Sequence, residues 1–139
     1  TRLVEALHHE KLDLHEWACI HRNSVVAYIL FSNAYHASNI CGLHLSLIAV
    51  KPEFQKQGIG SELLNYALRQ ESIKTKTIYA LGLPQFFKKF GFELCSNPIC
   101  PIDTDNKNFL SLRNHEISNF TIAYEDAFKQ KRKKSKKVH

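Results

Sequence analysis

Along the chain the spacing of apolar residues changes repeatedly, and each change predicts an element. In the opening TRLVEALHHEKL, Leu3, Val4, Leu7 and Leu12 recur at helical spacing and predict a helix. The stretch EWACIHRNSVVAYILFSNAYH predicts two strands joined at Asn23-Ser24; Val25, Val26, Tyr28, Ile29 and Phe31 favour a strand through bulk and β-branching. ICGLHLSLIAV predicts a third strand, apolar almost throughout, as strands covered on both faces are. Lys51-Pro52 ends it, because proline has no N–H to give to a ladder. Between Ser61 and Gln70 a helix is predicted, with Ile59, Leu63, Ala67 and Leu68 on one stripe. KTIYALGL then predicts a short strand. QFFKKF predicts a short helix, with Pro84 in its first turn and Gly91 as its terminating glycine. FELC, NFLSL and FTIAY predict closing strands, and residues 97–108, with Pro98, Pro101 and several Asn and Asp, predict a loop. Helices alternate with strands in the middle and strands follow, which is the pattern of a mixed α/β sheet.

A length of 139 residues, 44% of them hydrophobic, suits one domain with one core. No apolar run approaches the roughly 18 residues of a membrane span, so no membrane partner is expected. No signal-peptide pattern opens the sequence. The chain begins at Thr1 and contains no methionine, so the natural amino terminus is expected upstream. The final eleven residues carry seven of the positive charges behind the net +6 and no acid, so residues 1–128 sum to −1. Residues 1–128 are therefore read as the domain and residues 129–139 as a basic, disordered tail. Such a tail suits nucleic acid or an acidic partner, or simply keeps the protein in solution. The body shows no interleaving of basic and aromatic residues that would stack bases. Cys19, Cys41, Cys95 and Cys100 form no C-x-x-C pair, and the eight histidines include no H-E-x-x-H. Buried reduced thiols, a cytoplasmic location and no metal follow as expectations.

The chemistry concentrates in AVKPEFQKQGIGSELL, where a strand enters a helix through a glycine-bearing corner. A helix start presents N–H groups without intrahelical acceptors, and these together with the helix dipole attract an anion, above all phosphate. Gly58, Ile59, Gly60 and Ser61 could supply that rim, with Lys56 adding positive charge; glycine has no Cβ and permits close approach of a phosphate oxygen. The other reading is a plain structural turn. A Walker loop is excluded because no Gly-Lys-Ser/Thr occurs, and a Rossmann fingerprint is excluded because Leu63 stands where its third glycine belongs.

Gln55-Lys56-Gln57-Gly58-Ile59-Gly60, after LSLIAVKPEF and before SELL, resembles the acetyl-CoA pyrophosphate motif Gln/Arg-x-x-Gly-x-Gly/Ala of the GCN5-related N-acetyltransferase (GNAT) family. LGLPQFFKKFGFE resembles that family's second conserved block, and its form, with AYEDAF near the end, is similar to the YhbS-like subgroup. The resemblance implies the GNAT fold: a mixed central β-sheet with a splayed strand pair, flanked by helices. It implies that Ile48, Ala49 and Val50 meet the pantetheine arm in the splay, opposite KTIYALGL. Gln55, Lys56, Gln57, Gly58, Ile59, Gly60 and Ser61 would hold the pyrophosphate, and Phe87 would complete the cofactor-binding set. A backbone N–H near Val50 would polarise the thioester carbonyl. The family's first strand and much of its first helix are expected upstream of Thr1, leaving one sheet edge open or filled by another subunit, so monomer or homodimer is expected.

His44 stands six residues before Val50, where some family members carry a glutamate, and is the candidate base. Simple strand alternation puts His44, Ser46, Ile48 and Val50 on one face. A histidine merely satisfied within the sheet is the other reading. The family's usual tyrosine, four residues before the glycine of GF, is Phe87 here, and Phe86 precedes it. The leaving thiolate, with a pKa near ~8.5, then takes its proton from solvent or from a hydroxyl such as Tyr79 or Ser46. The implied function is acetyl transfer from acetyl-CoA to a small-molecule or protein amine. The alternative is a weakly catalytic acyl-CoA-binding module whose tail docks on nucleic acid or an acidic partner.

Overall fold

The computed structural model describes residues 2–7 and 13–125. Seven strands form one sheet: β1 (Arg2–Leu7), β2 (Leu14–His21), β3 (Ser24–His36), β4 (Asn39–Val50), β5 (Ile78–Leu81), β6 (Glu93–Leu94) and β7 (Phe109–Leu112). Their order across the sheet is β1-β2-β3-β4-β5-β7-β6. Neighbours are antiparallel except β4 and β5, which run parallel. The β2–β3 turn is Arg22-Asn23, with φ of 51° and 61°, the left-handed pair that matches the twist of a tight hairpin. This is the mixed α/β sheet expected.

Helix α1 (Ile59–Leu68) and the short α2 (Pro84–Lys88) follow β4 and β5. The buried residues of α1, Ile59, Leu63, Leu64 and Ala67, pack with Leu43 and Leu45 of β4 and with Trp17, Ile29 and Phe31 on the same sheet face. Phe87 of α2 joins that core. The α2 chain then stops on Gly91 at φ 92°: the Phe92 N–H reaches the Phe87 carbonyl and the Gly91 N–H the Lys88 carbonyl, the paired bonds of a left-handed helix stop. The opposite face holds a smaller core of Ala34, Tyr79, Cys95, Cys100, Phe109 and Ile122 at one end of the sheet.

Three expectations are corrected. The opening segment is a strand, not a helix: Val4 and Ala6 lie opposite Cys19 and Trp17, and pairing with β2 overrides the local spacing. This strand itself forms the sheet's edge; residues 8–12, the rest of the expected helix, lie outside the described residues. FTIAY forms no ladder, only single bridges from Ala123 to Tyr35 and from Thr121 to Ile99. It takes the place beside β3 beyond the point where β2 begins, at Leu14 opposite Ser32. Finally, β4 does not alternate simply. Leu30 pairs with Leu47 and Phe31 with Leu45, so Ser46 is an extra residue in a β-bulge. The bulge resets the faces: Leu43, Leu45, Ile48 and Val50 join the helix-side core, while His44, Leu47 and Ala49 lie on the far face.

The bulge makes two nearby leucines unequal. Leu45→Ala should cost about 2–5 kcal/mol of stability, because it empties core volume. Leu47→Ala should stay within about 0.5 kcal/mol. Urea unfolding of both variants checks this; equal losses would contradict the bulge.

Candidate active site in an opened sheet

Strands β4 and β5 are bonded only where Leu43, His44 and Leu45 face Ile78, Tyr79 and Ala80. At the closed end they are pressed together: the Leu43 N–H bonds to the Thr77 carbonyl at 2.9 Å, and a Cβ on Gly42 would lie 2.6 Å from that carbonyl oxygen. Only glycine fits there. Beyond Leu45 the bulge bends β4, and β5 ends at Leu81. Residues 46–50 therefore keep β3 on one side and have no strand on the other. The result is a gap lined by unpaired strand backbone, able to accept an extended chain as an added strand does.

The gap runs into the glycine corner. A short 3-10 turn, Pro52–Phe54, leaves β4, and the Gln55 side chain reaches back so that its Nε2 donates to the Val50 carbonyl at 2.9 Å. Lys56 and Gly58 both take left-handed backbone, φ 65° and 80°. Gly58 is the N-cap of α1, and no side chain caps that helix start. A Cβ on Gly58 would meet nothing within 4 Å, and one on Gly60 would meet only Val50 Cγ2 at 3.5 Å. A cleft of about 260 Å³ lies here, walled by Val50, Lys56, Gly58, Gly60, Ser61 and Phe86. Uncapped N–H groups, the positive end of α1 and a lysine suit a diphosphate.

Most of the residues expected in the cofactor set come together. Val50, Gln55, Lys56, Gly58, Ile59, Gly60 and Ser61 border the cleft. Ile59 does so through its backbone, since its side chain is buried in the core. Gln57 Nε2 points to the Glu53 carbonyl at 3.4 Å, so it braces the loop. Ile48 and Ala49 lie along the gap with their side chains on opposite faces. Phe87 does not reach the cleft: it is 2% exposed and packs on Phe92, with ring centroids 5.3 Å apart. Phe86 is the aromatic that lines the cleft. Two adjacent phenylalanines offered no difference in polarity by which the sequence could tell them apart.

His44 sits inside the closed end, on the far face from α1, and is 2% exposed. Its Nε2 is 3.2 Å from the Ala123 carbonyl, and its ring stacks on Tyr124 at 3.8 Å and 11°. A carbonyl only accepts, so Nε2 donates this hydrogen bond. Ser32, opposite His44, shares a hydrogen bond with Ser46 at 2.6 Å. Tyr79 is buried beside His44, and burial, reinforced by the Cys41 thiol, holds its phenol far above the usual range, so it keeps its proton. Burial also pushes the Cys41 thiol up to about 11. Among the described residues no group of His, Cys, Asp and Glu is arranged to hold a metal, and no helix is long and apolar enough to cross a membrane.

A model of the acetyltransferase (GNAT) domain matches residues 13–94. No curated protein matches the chain. Among solved structures, the Escherichia coli GNAT family N-acetyltransferase YhbS in complex with CoA is similar, with a TM-score of 0.70, 20% identity and coverage of 85% of this chain and 70% of that one. A Brucella melitensis GNAT family acetyltransferase in complex with acetyl-CoA gives 0.65 and 22%, covering 82% and 68%. The KacTA–DNA complex gives 0.55 and 15%, covering 81% and 92%. At these identities the structures speak for the fold; the domain match, spanning more than half of the chain, decides the family. The chain belongs to the GNAT family of N-acetyltransferases.

Proposed function

We propose that the chain transfers an acetyl group from acetyl-CoA directly to an amine. The observation that carries this reading is the continuity of the open backbone of β4, residues 46–50, with the uncapped glycine corner at Gly58. Acetyl-CoA, when bound, supplies the thioester. The backbone of Ile48, Ala49 and Val50 would align its arm, while the N–H groups from Gly58 to Ser61, with Lys56, would hold its diphosphate. Phe86 would pack beside them. The amine nitrogen forms its bond to the acetyl carbon as the carbon–sulfur bond breaks; the amine gives up a proton and the thiolate takes one. His44 is assigned as the proton acceptor, on the sheet face opposite the diphosphate corner. With phenylalanine at both 86 and 87, solvent protonates the thiolate. A cytoplasmic monomer or homodimer fits this chemistry.

Gly60→Asp places a carboxylate in the first turn of α1, where it suits the helix but repels a diphosphate. Calorimetry should show CoA binding weakened at least ~10-fold at an unchanged Tm, on the scale of a lost charge-assisted contact. CoA binding unaltered by Gly60→Asp would sink the corner assignment. His44→Gln should cut kcat on the order of 10²-fold and remove the acidic limb of the pH profile, with CoA affinity kept. A kcat and profile matching the wild type would withdraw His44 as base.

The basic residues 129–139, outside the described residues, favour a second role: electrostatic docking on nucleic acid. Binding to a mixed-sequence DNA duplex should fall steeply with salt and vanish when residues 129–139 are deleted; binding that survives deletion refutes this role.

A further inference from the structure

The identity of the amine is the open question, and the far face of the sheet bears on it. One end of that face is covered by the segment carrying Cys95, Cys100, Phe120 and Ile122. At the other end, beside the gap, apolar side chains stand in the open. Leu47 of β4 is 47% exposed on one bank and Leu81 of β5 is 37% exposed on the other, directly past the last bonded rung. Next to Leu47 lies a shallow depression of about 490 Å³ formed by Val25, Tyr28 and Ala49. Tyr28 and Ala49 are paired two positions beyond the Leu30–Leu47 pair, the next pair on that face, so the depression adjoins the Leu47 bank. At ~3.3 Å per residue, Leu47 to Lys51 spans about 13 Å.

The lining carries no acid. Its one charge is Lys51, four residues past Leu47. The Tyr28 hydroxyl is already committed to the Glu16 carboxylate. Across the gap, the turn next to Gly82 contains Asp103, whose Oδ2 is engaged by the Asn108 N–H at 2.7 Å. The carboxylate nearest the depression, Glu16, is 3% exposed beneath its bond from Tyr28, so a polycation would find no exposed carboxylate there and would meet Lys51. An apolar surround also disfavours an ammonium ion, and so favours the neutral amine that attacks a thioester.

We propose that the acceptor is a monoamine borne on an apolar body, its nitrogen delivered between Leu47 and Leu81 and its body lying on Val25, Tyr28 and Ala49. This inference rests on the acetyltransferase reading. In it, the donor occupies the gap and the helix side of the sheet, and the acceptor arrives from the far face. The amine loses one proton to His44, and the acetyl carbon exchanges sulfur for nitrogen.

The test uses the full chain with acetyl-CoA and a series of straight-chain amines from ethylamine to octylamine, with spermidine as the polycation. Thiol release should give a kcat/KM that climbs roughly fourfold per buried methylene until the depression is filled, with spermidine well below octylamine. Calorimetry of octylamine against the CoA-bound protein should show the same order of affinity. Val25→Glu should flatten the dependence on chain length and leave the Kd for CoA and the Tm unchanged. A kcat/KM independent of chain length, or spermidine as the better substrate, overturns the inference. If CoA binds but no amine is turned over, the acceptor inference fails while the diphosphate corner stands. If CoA does not bind, the acetyltransferase reading itself fails.

Discussion

The structure depends on a parallel strand pair that is bonded at one end only. Gly42 allows β4 to approach the Thr77 carbonyl closely, and the rungs from Leu43 to Leu45 lock the two strands there. The bulge at Ser46 then turns β4 away. Backbone N–H and C=O groups on the freed side must find partners, and water or an extended ligand supplies them. Because α1 begins immediately after, the same strand that offers unpaired backbone also aims the positive end of a helix along it.

The bulge separates two tasks by sheet face. With Ile48 and Val50 turned into the helix-side core, the diphosphate corner is braced by packing, and Gly60 sits 3.5 Å from Val50 by its projected Cβ. With His44, Leu47 and Ala49 turned the other way, the histidine ring and the exposed leucine share the far face. A strict alternation would have sent Leu47 inward with Leu45 and turned Ile48 and Val50 to the far face, away from the core that braces the corner.

Much of this was legible in the sequence. The order of strands and helices from residue 14 to residue 112 follows from apolar period, proline and glycine. The corner was readable because its demand is local: a glycine, Gly58, where φ is positive. What escaped is what depends on partners distant in the chain. The opening segment has helical spacing, yet β2 recruits it as a strand. The bulge is invisible in LSLIAV because a run of apolar residues looks the same in either register. Phe86 and Phe87 differ only in which way a helix of five residues faces, and that is decided by its packing on Phe92. The bond from Gln55 to the Val50 carbonyl likewise needed the loop's path.

That tie couples the loop to the strand. Gln55 grips the last carbonyl of the open strand from within the phosphate-side loop, so stiffening the loop also fixes the strand's end. Ordering of both is then a single entropic cost, met when the nucleotide half of the donor settles. An acceptor arriving afterwards meets an already rigid bank, whereas one arriving first would have to order it alone. Sequential kinetics with the donor leading is the order this small side-chain clasp favours.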